Sequence, residues 1–205
     1  YGADAMRKVD PARHEAKRRQ IVDAAVVCFA RKGFHQTSTA EICAKADMSP
    51  GNLFHYFENK NAIIAAIAEE DRKETAQIFD QLGQSEDLVE GLVQLAKELA
   101  VQAADPIYAG ISLEVAAEAV RNAEVAALFV SNELETRARL TTLLREAVAR
   151  GQVDGSLDLE QAATWLIIIF DGVVGRTGID ASFNPQAHAP TLRLLIERFL
   201  RPQSR

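Results

Sequence analysis

Asn52, His55, Tyr56 and Lys60 lie in one short run, PGNLFHYFENK, from Pro50 to Lys60. Their chemistry is that of a surface that reads a polyanion. A carboxamide pairs with the edge of adenine, and an imidazole donates or accepts at a base or a phosphate. A phenol and an ammonium group hold phosphate oxygens. Gly51 has no side chain, so backbone there can come close to a partner, and Pro50 fixes the chain beside it. Upstream, the hydroxyls of Ser38, Thr39 and Ser49 sit where helices begin, beside backbone N–H groups that favour phosphates. Phosphate contacts of this kind set position; a few base contacts set sequence.

Short helices must hold these groups. Ser38 to Glu41 reads S-T-A-E, a capping box opening a helix that ends near Ala46. Ser49-Pro50 is a cap followed by an N1 proline and opens the next. Ile42 and Ala46 point to one side of the first, and Leu53 and Phe57, at i and i+4, pack on them. Asn52, His55 and Tyr56 are left facing elsewhere. Two short helices joined by a few residues are the minimal helix-turn-helix, in which the second helix enters the major groove. The same pattern also occurs in all-α proteins that never meet DNA.

Helical periodicity and punctuation continue through the chain, so the expected fold class is all-α with about nine helices. Asp10-Pro11 opens a helix whose Ile21, Ala24, Ala25, Cys28 and Phe29 share a face, with Gly33 just beyond its end. Asn59 caps a helix from Lys60 to about Leu82, before Gly83. Further helices are expected over about 85–104, 106–121 and 122–150, then from Asp158 to about Gly178. A loop is expected over Asn184–Pro190, and a closing helix over Thr191–Leu200. The division expected is 1–60 for an arm and helix-turn-helix domain, and 61–205 for a helical body.

Charge divides in the same place. Residues 1–60 hold 10 Lys/Arg against 7 Asp/Glu, a net of +3, and residues 61–205 hold 13 against 22, a net of −9. A weakly basic head on an acidic body fits a polyanion partner for the head alone. With 48% apolar and 25% charged residues the chain is an ordinary globular protein. Its densest apolar run, Trp165–Phe170, is too short to cross a bilayer. No secretory pattern opens it, and the five residues before Met6 are expected to be an expression remnant. Cys28 and Cys43 fall at apolar helical positions, as reduced core thiols of a cytoplasmic protein do.

Gly33-Phe34, Ser38, Ile42, Ala46, Ser49 and LFHYFENK together resemble the DNA-binding domain of tetracycline-repressor-like (TetR) transcriptional regulators. The resemblance spans about Gln20 to Ile67. Cys43 departs from the usual alanine, and Asp47 from the usual turn glycine. The resemblance implies a sequence-specific regulator, most often a repressor. It would bind double-stranded DNA at a palindromic operator as a homodimer, with no cofactor and no membrane. Pro50, Gly51, Asn52 and His55 would face bases, and Ser38, Thr39, Ser49, Tyr56 and Lys60 phosphates. Arg7, Lys8 and Arg13 would add nonspecific grip or form a solvated tail.

It also implies a small hydrophobic or amphipathic effector between helices of the body. Tyr108, Ile111, Val115, Phe129 and Trp165 are candidates for an apolar cavity, and Glu114 and Glu118, one turn apart, for holding a cationic ligand. Gly172 and Gly175, with Leu192, Leu195, Ile196 and Phe199 on the closing helix, are expected at the dimer interface. Asp171 stands in a nearly all-apolar helix and is expected to pair with Arg176 or a neighbouring cap.

An enzyme is the main rival. His14, His35, His55 and His188 show no metal-binding spacing, and no G-x-S-x-G elbow, nucleotide-binding glycine loop or cysteine nucleophile signature occurs. The other rival is a non-sensing architectural or cell-cycle factor on the same fold.

Overall fold

The computed structural model describes residues 10–180 and 182–201. Among them the chain forms nine helices and no strand: α1 (Pro11–Lys32), α2 (Thr39–Lys45), α3 (Pro50–Tyr56), α4 (Lys60–Leu82), α5 (Leu88–Gln102), α6 (Pro106–Ala119), α7 (Ala123–Ala149), α8 (Leu159–Ile179) and α9 (Pro185–Leu200). Arg7 and Lys8 lie outside the described residues.

Most helices start where a short polar side chain can accept from the first free N–H groups. Asp10, Ser38, Ser49, Asn59, Asp105, Asn122 and Asp158 all do so. Two starts differ from expectation. Asp87 caps α5, three residues later than the sequence reading, because its carboxylate serves two N–H groups, those of Val89 and Glu90. The last helix begins at Pro185, not Thr191. Asn184 accepts from Gln186 and Ala187, and Pro185 takes N1, where its missing N–H costs nothing. Pro190 therefore lies inside α9.

Two cores form. The head core joins Ile21, Ala25 and Phe29 of α1, Ile42 and Cys43 of α2, Leu53 of α3 and Ile63, Ile64 and Ile67 of α4, with Ile111 and Val125 reaching in from α6 and α7. The body core holds Phe79 and Leu82 of α4 with apolar faces of α5, α7, α8 and α9. Helix α4 thus contributes to both cores.

Helices α1 and α6 pack closely. A Cβ on Gly110 would stand 2.9 Å from the carbonyl oxygen of Ala30, so only glycine permits this approach.

Candidate nucleic-acid interface

Along α3 the buried residue is Leu53, which is fully enclosed, with Phe57 buried at the helix end. Pro50, Gly51, Asn52, Phe54 and His55 are exposed. The division follows from the 3.6-residue period: Leu53 and Phe57 share the inward face, and the polar residues take the outward one. Phe54, 51% exposed, was missed by the sequence reading. Its position one residue past Leu53 was the signal, since that places it off the buried face.

Several contacts fix this helix. Gln20 Nε2 donates to the carbonyl of Ala46 at 2.7 Å, holding α1 against the end of α2. Asp47, at φ 50°, carries the turn between α2 and α3 in the left-handed region. The Tyr56 ring lies 4.7 Å from that of His14, so α1 also supports the end of α3. Ser49 Oγ accepts from the Asn52 N–H at 3.4 Å.

Ser38 and Lys60 have internal partners. Ser38 donates from both its amide and its hydroxyl to Glu41 Oε2, at 2.9 and 3.0 Å. Glu41 also pairs with Lys32. That hydrogen bond, followed by those from Ser38, pulls its carboxyl down to about 2. Lys60 Nζ donates to the carbonyls of Phe34 and Thr37, at 2.7 and 2.8 Å. Two of its three N–H groups are therefore engaged with backbone, which departs from the phosphate role read from sequence. The sequence reading missed the reason: the α1–α2 turn leaves two carbonyls facing the start of α4.

The candidate effector residues are not gathered around one hollow. Ile111 and Val115 pack against the head core, Glu114 Oε1 accepts from the Phe34 N–H at 2.6 Å, and Glu118 Oε2 lies 2.9 Å from His35 Nε2. Spacings of three and four residues put all four on the α6 face that meets α1. Tyr108 points to a different neighbourhood. Its phenol is pushed up by burial and then by the charges of Asp71, Asp171 and Glu74. Burial also pushes up Asp71 and Asp171, each helped by nearby carboxylates. Solvent still reaches both side chains. Phe129 and Trp165 are exposed, at 40% and 55%.

The expected Asp171–Arg176 pair does not form, because Arg176 Nη2 reaches Asp180 at 2.8 Å, one turn on. Among the described residues Asp171 has no ion pair. Leu192 and Ile196, expected at a dimer interface, instead fill the protomer's own core, and Phe199 packs against it. The large apolar residues of α9 that are exposed are Leu194 and Leu195, and Trp165, Ile168 and Gly172 of α8 are exposed too. Burial pushes both cysteine thiols up, which suits packing better than reactivity. Among the described residues no group of three or more His, Cys, Asp or Glu is placed to hold a metal ion.

A helix-turn-helix with an exposed polar reading face, carried on an all-helical body, defines the architecture of a DNA-binding regulator. Comparison with known proteins makes this specific. The model described as bacterial regulatory proteins, tetR family, matches residues 21–67, and that of the tetracyclin repressor-like C-terminal domain matches residues 83–201. The HTH-type transcriptional regulator UidR of Escherichia coli K12 is 27% identical over 183 residues, covering 87% of this chain and 90% of that protein. The HTH-type transcriptional repressor Rv1474c of Mycobacterium tuberculosis is 25% identical over 190 residues, covering 93% and 96%. The solved structure of Salmonella enterica GusR is 32% identical, with a TM-score of 0.78 over 90% of this chain and 95% of that one. The chain belongs to the tetR family of bacterial regulatory proteins, and it is a DNA-binding transcriptional regulator.

Proposed function

We propose that this regulator is a cytoplasmic repressor that binds a palindromic operator as a homodimer and leaves it when a small molecule occupies the body. The observation that carries the reading is the exposed run on α3. Pro50, Gly51, Asn52 and His55 face bases, Phe54 meets a thymine methyl, and Ser38, Thr39, Ser49 and Tyr56 lie toward phosphates.

One such helix covers too few base pairs for useful selectivity, and a two-fold pair doubles the site. Trp165 and Ile168 of α8 and Leu194 and Leu195 of α9 are large apolar side chains left exposed, which supports a second copy as their cover. Helix α8 is long and apolar enough to cross a bilayer by length and composition. Its Ala162, Ala163, Leu166 and Phe170 instead pack into the body core. Sedimentation velocity with a bound operator duplex tests the assembly: two chains per duplex are expected, and one chain per duplex would overturn it.

The effector site lies where α4, α6 and α8 bring Asp71, Tyr108 and Asp171 into mutual electrostatic range. A phenol beside two carboxyl groups suits an amphipathic molecule with hydrogen-bond donors. A thermal-shift screen followed by operator release tests this. Compounds that stabilise the protein and release DNA are expected; stabilisation that never alters DNA affinity would overturn it.

A further inference from the structure

We propose that this regulator reads the C5-methyl group of pyrimidines through Phe54, so that its operator binding responds to cytosine methylation. The inference rests on the reading above, in which α3 enters the major groove, and adds a chemical state of the DNA to the sequence that the helix recognises.

Phe54 is the most exposed phenylalanine among the described residues. Phe57, three residues on, is buried, and the guanidinium carbon of Arg18 lies 5.1 Å from its ring centre. Phe54 has no such cover: among the described residues no aromatic ring or cation stacks on it. Residues three and four apart share a side of a helix, so Pro50, Gly51 and Phe54 line one side of α3, and Asn52, His55 and Tyr56 the next. All of these but Tyr56, which is half-buried, are exposed. A Cβ on Gly51 would meet no atom within 4 Å, so the position one turn before the ring is open. The outward face of α3 is therefore apolar on one side and polar on the other.

Polar side chains read the donors and acceptors of base edges. A phenyl ring has neither, and the apolar feature of the major groove that it can meet is the C5-methyl group of thymine. Cytosine carries hydrogen at C5. Methylation there puts a methyl group at the same ring position, with the N4 donor standing where thymine has its O4 acceptor. A side chain that hydrogen-bonds to neither atom meets thymine and 5-methylcytosine alike, and finds nothing on plain cytosine. Taking one such group out of water is worth about fourfold in affinity.

The test uses a duplex selected by the unaltered protein. Each thymine is replaced in turn by deoxyuridine, which removes the methyl group and keeps the pairing and the O4 acceptor. At one thymine in each half-site the replacement is expected to weaken binding by about fourfold. At that position a cytosine–guanine pair is then compared with 5-methylcytosine–guanine, and methylation is expected to strengthen binding by about the same factor. Phe54→Ala is expected to abolish both differences, and Phe54→Leu, which keeps apolar bulk, to retain them. Phe54 belongs to neither core, so the alanine variant is expected to fold; Phe54→Gln serves in its place should it not. A scan in which no thymine methyl matters, a cytosine whose methylation changes nothing, or methyl effects that persist without the ring would overturn the inference and leave the operator reading standing. A protein that selects no duplex at all would instead remove that reading, and this inference with it.

Discussion

The ammonium of Lys60 lies 4.7 Å from the centre of the Phe34 ring and donates to the Phe34 carbonyl at 2.7 Å. One side chain at the start of α4 thereby satisfies a backbone acceptor and covers an aromatic face in the α1–α2 turn. The relationship makes Lys60 a fastener of the head. Replacing it by methionine keeps the stem but strands two carbonyls, a loss of about 1–3 kcal/mol. Denaturant unfolding of Lys60→Met is expected to show it. The slope of DNA affinity against salt should change by less than the roughly 0.9 per lost phosphate contact. A full step in slope with unchanged stability would return Lys60 to the phosphate backbone.

Asn52 is exposed on α3, and its backbone N–H is held by the hydroxyl of Ser49. Its carboxamide is free to read a base edge. Asn52→Ala is expected to cost about 1–3 kcal/mol of discrimination between operator and random DNA, with nonspecific affinity nearly unchanged. Competition binding with both duplexes measures the difference. Equal losses on the two would remove Asn52 from base reading.

Much of this was legible in the sequence, and the parts that were not share a cause. The caps at Ser38, Ser49 and Asn59 each act within a few residues, so spacing alone exposes them. Leu53 and Phe57 follow the same local rule. The targets of Glu114 and Glu118 were hidden, because Phe34 lies 80 residues from Glu114 and no periodicity links them. Their types announced a charged face, and only tertiary packing shows that α1 covers it. Leu192 and Ile196 were assigned to the wrong partner for a related reason: an apolar stripe says that something covers it, not which chain. Pro190 misled because a proline inside a helix usually ends it, whereas the Asn184-Pro185 start is strong enough to outweigh one missing hydrogen bond.

Asp47 occupies the turn of the helix-turn-helix at φ 50°. A left-handed backbone costs an ordinary L residue about 1–2 kcal/mol, less for aspartate, whose short polar chain bonds locally. Asp47→Ala is therefore expected to destabilise the head by about 1 kcal/mol. Asp47→Gly should change stability by less than that, because the relieved backbone is offset by about 0.4–1 kcal/mol of added unfolded-state entropy. It also removes a negative charge beside the reading helix. Its DNA affinity should rise at low salt, and the gain should vanish once screening shortens to about 3 Å near 1 M salt. Calorimetry and a salt series check the two effects separately.

Arg193 of α9 grips Glu90 of α5 through two hydrogen bonds, at 2.6 and 2.7 Å. This fork, followed by the hydrogen bond from Gln94, pulls the Glu90 carboxyl down to about 2. In the unfolded chain it titrates near the usual value of about 4.3. Because the folded value is the lower one, the stabilisation is fully present above about pH 4.3 and is lost as pH falls toward 2. Arg193→Met is expected to return Glu90 to the ordinary carboxylate range by NMR titration. It should also weaken the dependence of stability on pH within that acid window. An unmoved Glu90 midpoint would contradict the pairing.

The central claim is that α3 presents its exposed side to the major groove twice per assembly. Selection of DNA from a random pool by the purified protein tests it most directly. The account predicts enrichment of a palindrome whose half-sites are spaced for two copies of α3 on one duplex, lost in the Asn52→Ala variant. Enrichment of no sequence, or of a lone half-site without symmetry, would contradict it.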